Sequence, residues 1–176
     1  MAITEAFNYN YFKDVGYADL PTRFNRYFFA RIDHFIASEA NLQMHQGFDN
    51  LVRNNGYVNG YHIEHILSHN EENLQLFGDD PEVFERERNR LGGLLLLKGN
   101  TNQSIGNETY AERIGAYIQG LYWNATLHKD TYHGNIDLQQ FIQKHGIALR
   151  HMETFGPAEL EERHKLLAQM VQIIWN

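Results

Sequence analysis

Ten residues in the middle of the chain, YHIEHILSHN (residues 61–70), hold His62, Glu64, His65 and His69 among largely apolar neighbours. A carboxylate is a hard oxygen donor that suits magnesium. Imidazole is the side chain whose ordinary pKa lies near working pH, so it suits removal of a proton from water. Glu64 and His65 together therefore offer a metal ligand beside a general base. Two plainer readings stay open at this point. The pair can sit at a strand edge in a surface role. Alternatively, His65 and His69, four apart, can share a zinc ion if the segment is helical, although no third ligand stands out.

These groups can act together only if the backbone brings them to one cleft. Asn-Asn-Gly and Asn-Gly turns precede the stretch, and residues 61–67 read as a short extended run. In a strand Glu64 faces one way with His62 and Ile66, while His65 faces the other with Tyr61 and Ile63. Twist at a strand end lets both reach one cleft from two sides. The remainder reads mainly as helix. RFNRYFFARIDHFIA spaces Phe24, Tyr27, Phe28, Ile32 and Phe35 along one face. EENLQLFGDD reads as a loop leading to a short helix that begins near Pro81, a favoured first helical residue. LGGLLLL is a buried strand or a piece of helix, and periodicity alone does not choose. KGNTNQSIGN reads as polar loop. ETYAERIGAYIQGLYWNATL reads as a helix with Tyr110, Ile114, Tyr117, Ile118 and Leu121 on one side, and NIDLQQFIQKHGIALRHM as another. The clearest helix is GPAELEERHKLLAQMVQIIW, with Leu160, His164, Leu167, Val171 and Ile174 along it. The expected fold class is α+β, mainly helical, with a small two-stranded element embedded in one compact domain.

With 176 residues the chain suits one domain with a real core. It has no cysteine, which excludes disulfides, thiolate zinc sites and a thiol nucleophile and fits a reducing cytoplasm. No apolar run approaches the roughly 20 residues of a membrane span, and the beginning lacks the basic flank and apolar centre of a signal peptide. The net charge is −7, against a broad electrostatic grip on nucleic acid. Contact with nucleic acid would run through a local patch, a metal or a partner. None of Ser38, Ser68 and Ser104 lies in a G-x-S-x-G elbow, and no phosphate-binding or dinucleotide-binding glycine loop and no H-E-x-x-H occurs. FERERNR reads as a solvated helix face or a contact to a nucleic-acid backbone. Trp123 and Trp175 read as core or domain-edge anchors.

Three blocks in order, IEHILS, NRLGGLLLLKGNTNQSIGNETYAERIGAY and ELEERHKLLAQMVQIIW, resemble the C-terminal nuclease domain of GmrSD-type modification-dependent restriction proteins, a branch of the HNH (ββα-metal) endonucleases. The resemblance runs from about residue 61 to residue 176, with residues 1–60 as a helical preface to the nuclease core. It implies a ββα-metal element and a magnesium- or manganese-dependent hydrolysis of DNA phosphodiesters, in a phage-defence or restriction system. Carried over by position, it implies His65 as the base that activates water and Glu64 as a metal ligand. It implies Asn102 as the second protein ligand, and Arg113 as the basic residue that holds the scissile phosphate or a neighbouring one. Asn89 and Asn107 match flanking polar positions that tie down loops. It also implies a partner: an upstream or separate nucleotide-hydrolysing, DNA-sensing domain or subunit.

Two positions depart from the family pattern. Ser68 stands three residues after His65, where proline is usual. Gly93 stands in L-G-G-L where the pattern has asparagine, a residue that resembles a brace for the catalytic histidine. Either His62, Asn89 or Asn100 takes over that bracing, or the site is slow or inactive. The alternative function is accordingly a weakened nuclease-like domain that serves as a DNA-binding or assembly module. A helical structural domain with incidental histidines is a third reading.

Overall fold

The computed structural model describes residues 8–101 and 108–175. After a first turn of helix, α1 (Tyr9–Phe12), comes the long α2 (Thr22–Glu39), then α3 (Phe48–Val52), α4 (Gly56–Asn59), β1 (Tyr61–His65), α5 (Glu71–Leu76), α6 (Pro81–Arg88) and β2 (Leu94–Lys98). There follow α7 (Tyr110–Tyr117), α8 (Tyr122–Ala125), α9 (Ile136–His145) and the closing α10 (Pro157–Trp175). The molecule is mainly helical with a small antiparallel sheet, the α+β class that the sequence indicates.

The two strands pair with Glu64 opposite Leu95 and His65 opposite Leu94. LGGLLLL resolves as a 3₁₀ turn, Leu91–Gly93, followed by β2. Leu94, Leu95, Leu96 and Leu97 are all buried, as a strand covered on both faces requires. A two-stranded sheet leaves each strand one open edge. The outer edge of β2 is closed by α8: Trp123 Nε1 donates to Leu94 O at 3.2 Å and Asn124 Nδ2 donates to Leu96 O at 3.0 Å.

Alpha2 packs against both strands, but its buried face is rotated from the one expected. Asn25, Phe28, Phe29, Ile32, Asp33 and Ile36 point inward, whereas Phe24 is 46% exposed. Two polar residues on the inner face explain the shift. Asn25 Nδ2 donates to Tyr17 O and Leu20 O, and Asp33 Oδ1 accepts the backbone N–H of Trp123 at 3.1 Å. Burial pushes the Asp33 carboxyl up to about 6; its other oxygen has no partner among the described residues.

Three other expectations are corrected. Helix α5 lies inside the stretch read as loop, because Asn70 caps it by accepting the N–H of Asn73 at 2.7 Å and Glu71 and Glu72 occupy its first turn. The helix read over residues 108–127 is broken between α7 and α8: Gly120 intervenes and Leu121 is extended (ψ 157°). The helix read over residues 135–152 stops at His145, where Gly146 takes the left-handed conformation (φ 59°). Helix α10 forms as expected over 19 residues. It buries His164 and Arg163, the latter lying 3.5 Å over the Trp123 ring. Its His164 touches the 3₁₀ turn ahead of β2: Gly92 N donates to Nδ1 at 3.0 Å, and Nε2 donates to Phe12 O at 2.8 Å.

Candidate active site

Beta1 continues one step past His65, since Ile66 N donates to Gly93 O at 2.8 Å. The chain then dives inward through Ile66, Leu67 and Ser68. Helix α6 is started by Asp80, whose Oδ1 accepts the N–H groups of Glu82 (3.0 Å) and Val83 (3.1 Å), with Pro81 in the first turn. Its far end is tied to the same bend by Arg88, which is buried and donates from Nε to Leu67 O at 3.0 Å. FERERNR is therefore not a wholly solvated face: its last turn is fixed against the end of β1.

That contact sets the environment of His65. Its Nε2 lies 2.7 Å from Asn89 Oδ1. Asn89 Nδ2 in turn donates to Glu85 O (2.7 Å) and Glu85 Oε1 (2.9 Å). Both Glu85 atoms only accept, so the amide oxygen of Asn89 must face the imidazole and Nε2 must carry the proton. The lone pair then resides on Nδ1, the atom available as a base. The Tyr17 ring stands 5.7 Å from the imidazole. Burial, and then the Arg88 charge, lower the His65 pKa to about 4, so the ring is neutral at pH 7.

The other candidates have separate fates. Glu64 Oε1 accepts from Arg113 Nη2 at 3.3 Å, and no hydrogen bond reaches Oε2 from the described residues. Arg113 does not stand free to hold a phosphate. It is 0% exposed, and its Nη1 donates to His65 O (3.1 Å), Ile66 O (3.2 Å) and Ser68 Oγ (2.6 Å). Helix α7, opened by a capping box between Thr109 and Glu112, thus presents Arg113 as a clamp on the bend after His65. Ser68, the residue in the usual proline position, is part of that clamp.

His62 is not a brace: its Nε2 pairs with Tyr57 O at 3.0 Å. Asn100 turns its Oδ1 to Thr101 N at 2.8 Å. Asn102 and Asn107 lie outside the described residues. His69 does not join His65 at a metal but pairs with Glu85 Oε2 at 3.1 Å, and the described residues contain no group of three or more His, Cys, Asp or Glu that could hold an ion. Glu85 is the residue that reading the sequence missed. Its spacing of four from Asn89 was a visible signal, since such residues share a helix face.

The profile described as GmrSD restriction endonucleases, C-terminal domain, matches residues 8–170. The chain belongs to this family. The match reaches back to residue 8, so the GmrSD C-terminal domain takes in the amino-terminal helices that the motif blocks did not cover. A restriction-endonuclease family places the chain among nuclease-type domains. No match was found among curated proteins or among solved structures. No helix of the described residues in this GmrSD domain is long and apolar enough to cross a membrane.

The buried titratable groups of the GmrSD domain make its stability depend on pH. His65 and His164 are both held near 4, the latter also by burial. Their unfolded forms titrate near 6.5. This contribution is complete above that value and lost as pH falls toward 4. Asp33 acts the other way: raised to about 6, it favours the folded state more as pH falls. From pH 7 to 5 each histidine costs about 2 kcal/mol and Asp33 offsets about 1. Urea midpoints at the two pH values are expected to show a net loss of about 2–3 kcal/mol. Asp33→Asn is expected to deepen that loss by about 1 kcal/mol. A flat or rising profile toward pH 5 would contradict neutral buried imidazoles.

Proposed function

We propose that this domain is an HNH-type, metal-dependent endonuclease that hydrolyses DNA phosphodiesters, working in the cytoplasm within a phage-defence or restriction system. The observation that carries the reading is the hydrogen bond from His65 to Asn89, which leaves an oriented, neutral imidazole with its Nδ1 lone pair available. Such a group takes a proton from water without first losing one of its own.

The donor chemistry fits a hard divalent cation. Glu64 is ordered by Arg113 through one oxygen and keeps the other without a hydrogen-bond partner among the described residues. Glu64, with Asn102 as second protein donor, would hold magnesium or manganese, the remaining positions being filled by water and phosphate oxygens. When bound, the ion supplies stabilisation of the charge that develops on the phosphate and the leaving oxygen. His65 Nδ1 accepts the proton of the attacking water, Asn89 keeps the ring in place, and Arg113 fixes the backbone that carries Glu64 and His65. With a net charge of −7, DNA affinity comes largely from a partner, a nucleotide-hydrolysing, DNA-sensing domain or subunit.

Plasmid nicking with magnesium or manganese tests this. His65→Ala is expected to lower the rate by about 10²–10⁴-fold, and a chelator to abolish it. Equal nicking by both proteins would sink the assignment. Gly93 favours a second reading, a nuclease-like module retained for DNA binding or assembly. That reading predicts no nicking by the wild-type protein under any metal together with measurable DNA or partner binding.

A further inference from the structure

We propose that Glu85 of α6 and Asn89, the residue that caps its end, form a two-residue positioning relay that selects the tautomer of His65 and takes the place of a side chain at position 93. This inference rests on the reading of His65 as the base. Its physical content is the direction of the hydrogen bonds.

Three side chains lie in a row, His65, Asn89 and Glu85. His65 Nε2 donates to Asn89 Oδ1 (2.7 Å), and Asn89 Nδ2 donates to Glu85 Oε1 (2.9 Å). Glu85 Oε2 is held by His69 Nε2 (3.1 Å) and Arg88 Nη1 (3.5 Å). Asn89 Nδ2 also donates to the backbone carbonyl of Glu85 (2.7 Å), so two obligate acceptors of one residue, carbonyl and carboxylate, dictate which way the amide points. The amide then dictates which imidazole nitrogen carries the proton. An amide is ambivalent and faces either way with little preference; Glu85 removes that freedom. A lone Asn89 would hold the ring in place without choosing its tautomer.

Position 93 cannot serve the same purpose without rearrangement. A Cβ built on Gly93 comes within 3.1 Å of Arg88 O and 3.2 Å of Leu160 Cδ1. The space beside Gly93 is filled by the end of α6, the segment that presents Asn89. The short approach of α6 and the loss of a side chain at 93 are therefore one structural fact. His62 and Asn100, which have donors and acceptors of their own, are committed to Tyr57 O and to Thr101 N.

The test uses the whole chain labelled with ¹⁵N-histidine, with long-range ¹H–¹⁵N spectra at pH 8 and plasmid nicking in parallel. His164, fixed as the Nε2–H tautomer between Gly92 N and Phe12 O, is an internal control for folding. Wild-type His65 is expected as the Nε2–H tautomer. Asn89→Ala is expected to give a mixture of tautomers at His65 with His164 unchanged, and its nicking rate should fall by about 10–100-fold, the usual effect of losing such a supporting partner. Glu85→Ala removes the carboxylate but keeps the backbone carbonyl that also turns the amide, so it is expected to retain the Nε2–H tautomer. Asn89→Asp sets an obligate acceptor against Nε2 and is expected to hold the Nε2–H tautomer that Asn89→Ala loses.

A merely structural role for the end of α6 would not separate Asn89→Ala from Asn89→Asp. The proposal is overturned if Asn89→Ala keeps the Nε2–H tautomer, or if Asn89→Asp loses it. A wild-type protein that cuts no DNA but follows the tautomer pattern would remove the nuclease reading and leave the relay standing. A protein that cuts while His65 ignores Asn89 would do the reverse.

Discussion

Arg113→Ala is expected to destabilise the domain by about 3–5 kcal/mol and to abolish any activity with it. The guanidinium is wholly buried and serves four acceptors at once: His65 O, Ile66 O, Ser68 Oγ and Glu64 Oε1. Removing one partner of a buried charged network leaves the others desolvated and unpaired, and each such group costs about 1–3 kcal/mol. Three of the four acceptors lie in the buried bend, so little water is at hand to replace the lost bonds. Arg113→Lys keeps the charge but not the fork, since one ammonium cannot reach acceptors spread around a planar guanidinium. It is expected to recover only part of the stability. Urea denaturation together with DNA cleavage separates this role from a phosphate contact. A residue that held phosphate would give, on change to lysine, a protein of wild-type stability with a raised KM. A clamp gives a loss of stability first, with activity falling because the strand end no longer holds Glu64 and His65.

Gly92→Ala is expected to cost at least about 3 kcal/mol, while Gly93→Ala next to it costs about 1. The difference follows from what each added Cβ would meet. At position 92 it would fall 2.4 Å from His164 N and 2.6 Å from His164 Cα. These are backbone atoms of α10, which cannot move without carrying the helix. The same N–H that donates to His164 Nδ1 would be displaced, so the imidazole would lose a partner in a buried site. At position 93 the contacts are 3.1 Å to Arg88 O and 3.2 Å to a terminal methyl of Leu160, which yield by small shifts. For a domain whose whole stability is on the order of 5–15 kcal/mol, the first substitution threatens the fold and the second does not. Thermal melting of the two variants side by side checks this, and equal melting temperatures would contradict the close approach of α10.

Much of the local structure was legible because it depends on neighbours in sequence. Pro81 after Asp80 marks the start of α6, the apolar spacing of residues 157–175 marks α10, and turn residues ahead of residue 61 mark the entry to β1. The errors also have local causes. Helix α5 was hidden because its cap, Asn70, reads equally well as a turn residue, and the break before α8 was hidden because one glycine in a periodic stretch is tolerated in many helices. The rotated face of α2 shows a different limit. Phe24 looks like core by type, but Asn25 and Asp33 each found a specific backbone partner, which lets them be buried although each keeps one oxygen without a partner among the described residues.

What the sequence determined by itself was the mainly helical class with a small two-stranded element, the adjacency of Glu64 and His65 at a strand end, and, through its motif blocks, the family. What only the tertiary structure decided was which polar side chain meets which. Arg113 is 48 residues from His65 and became a buried clamp, while Asn89 is 24 residues away and became the partner of its imidazole. Spacing along the chain fixes the face a side chain occupies on its own helix or strand. It carries no information on the acceptor waiting on another element, because a buried donor is placed by the requirement that it be satisfied somewhere in the packed interior.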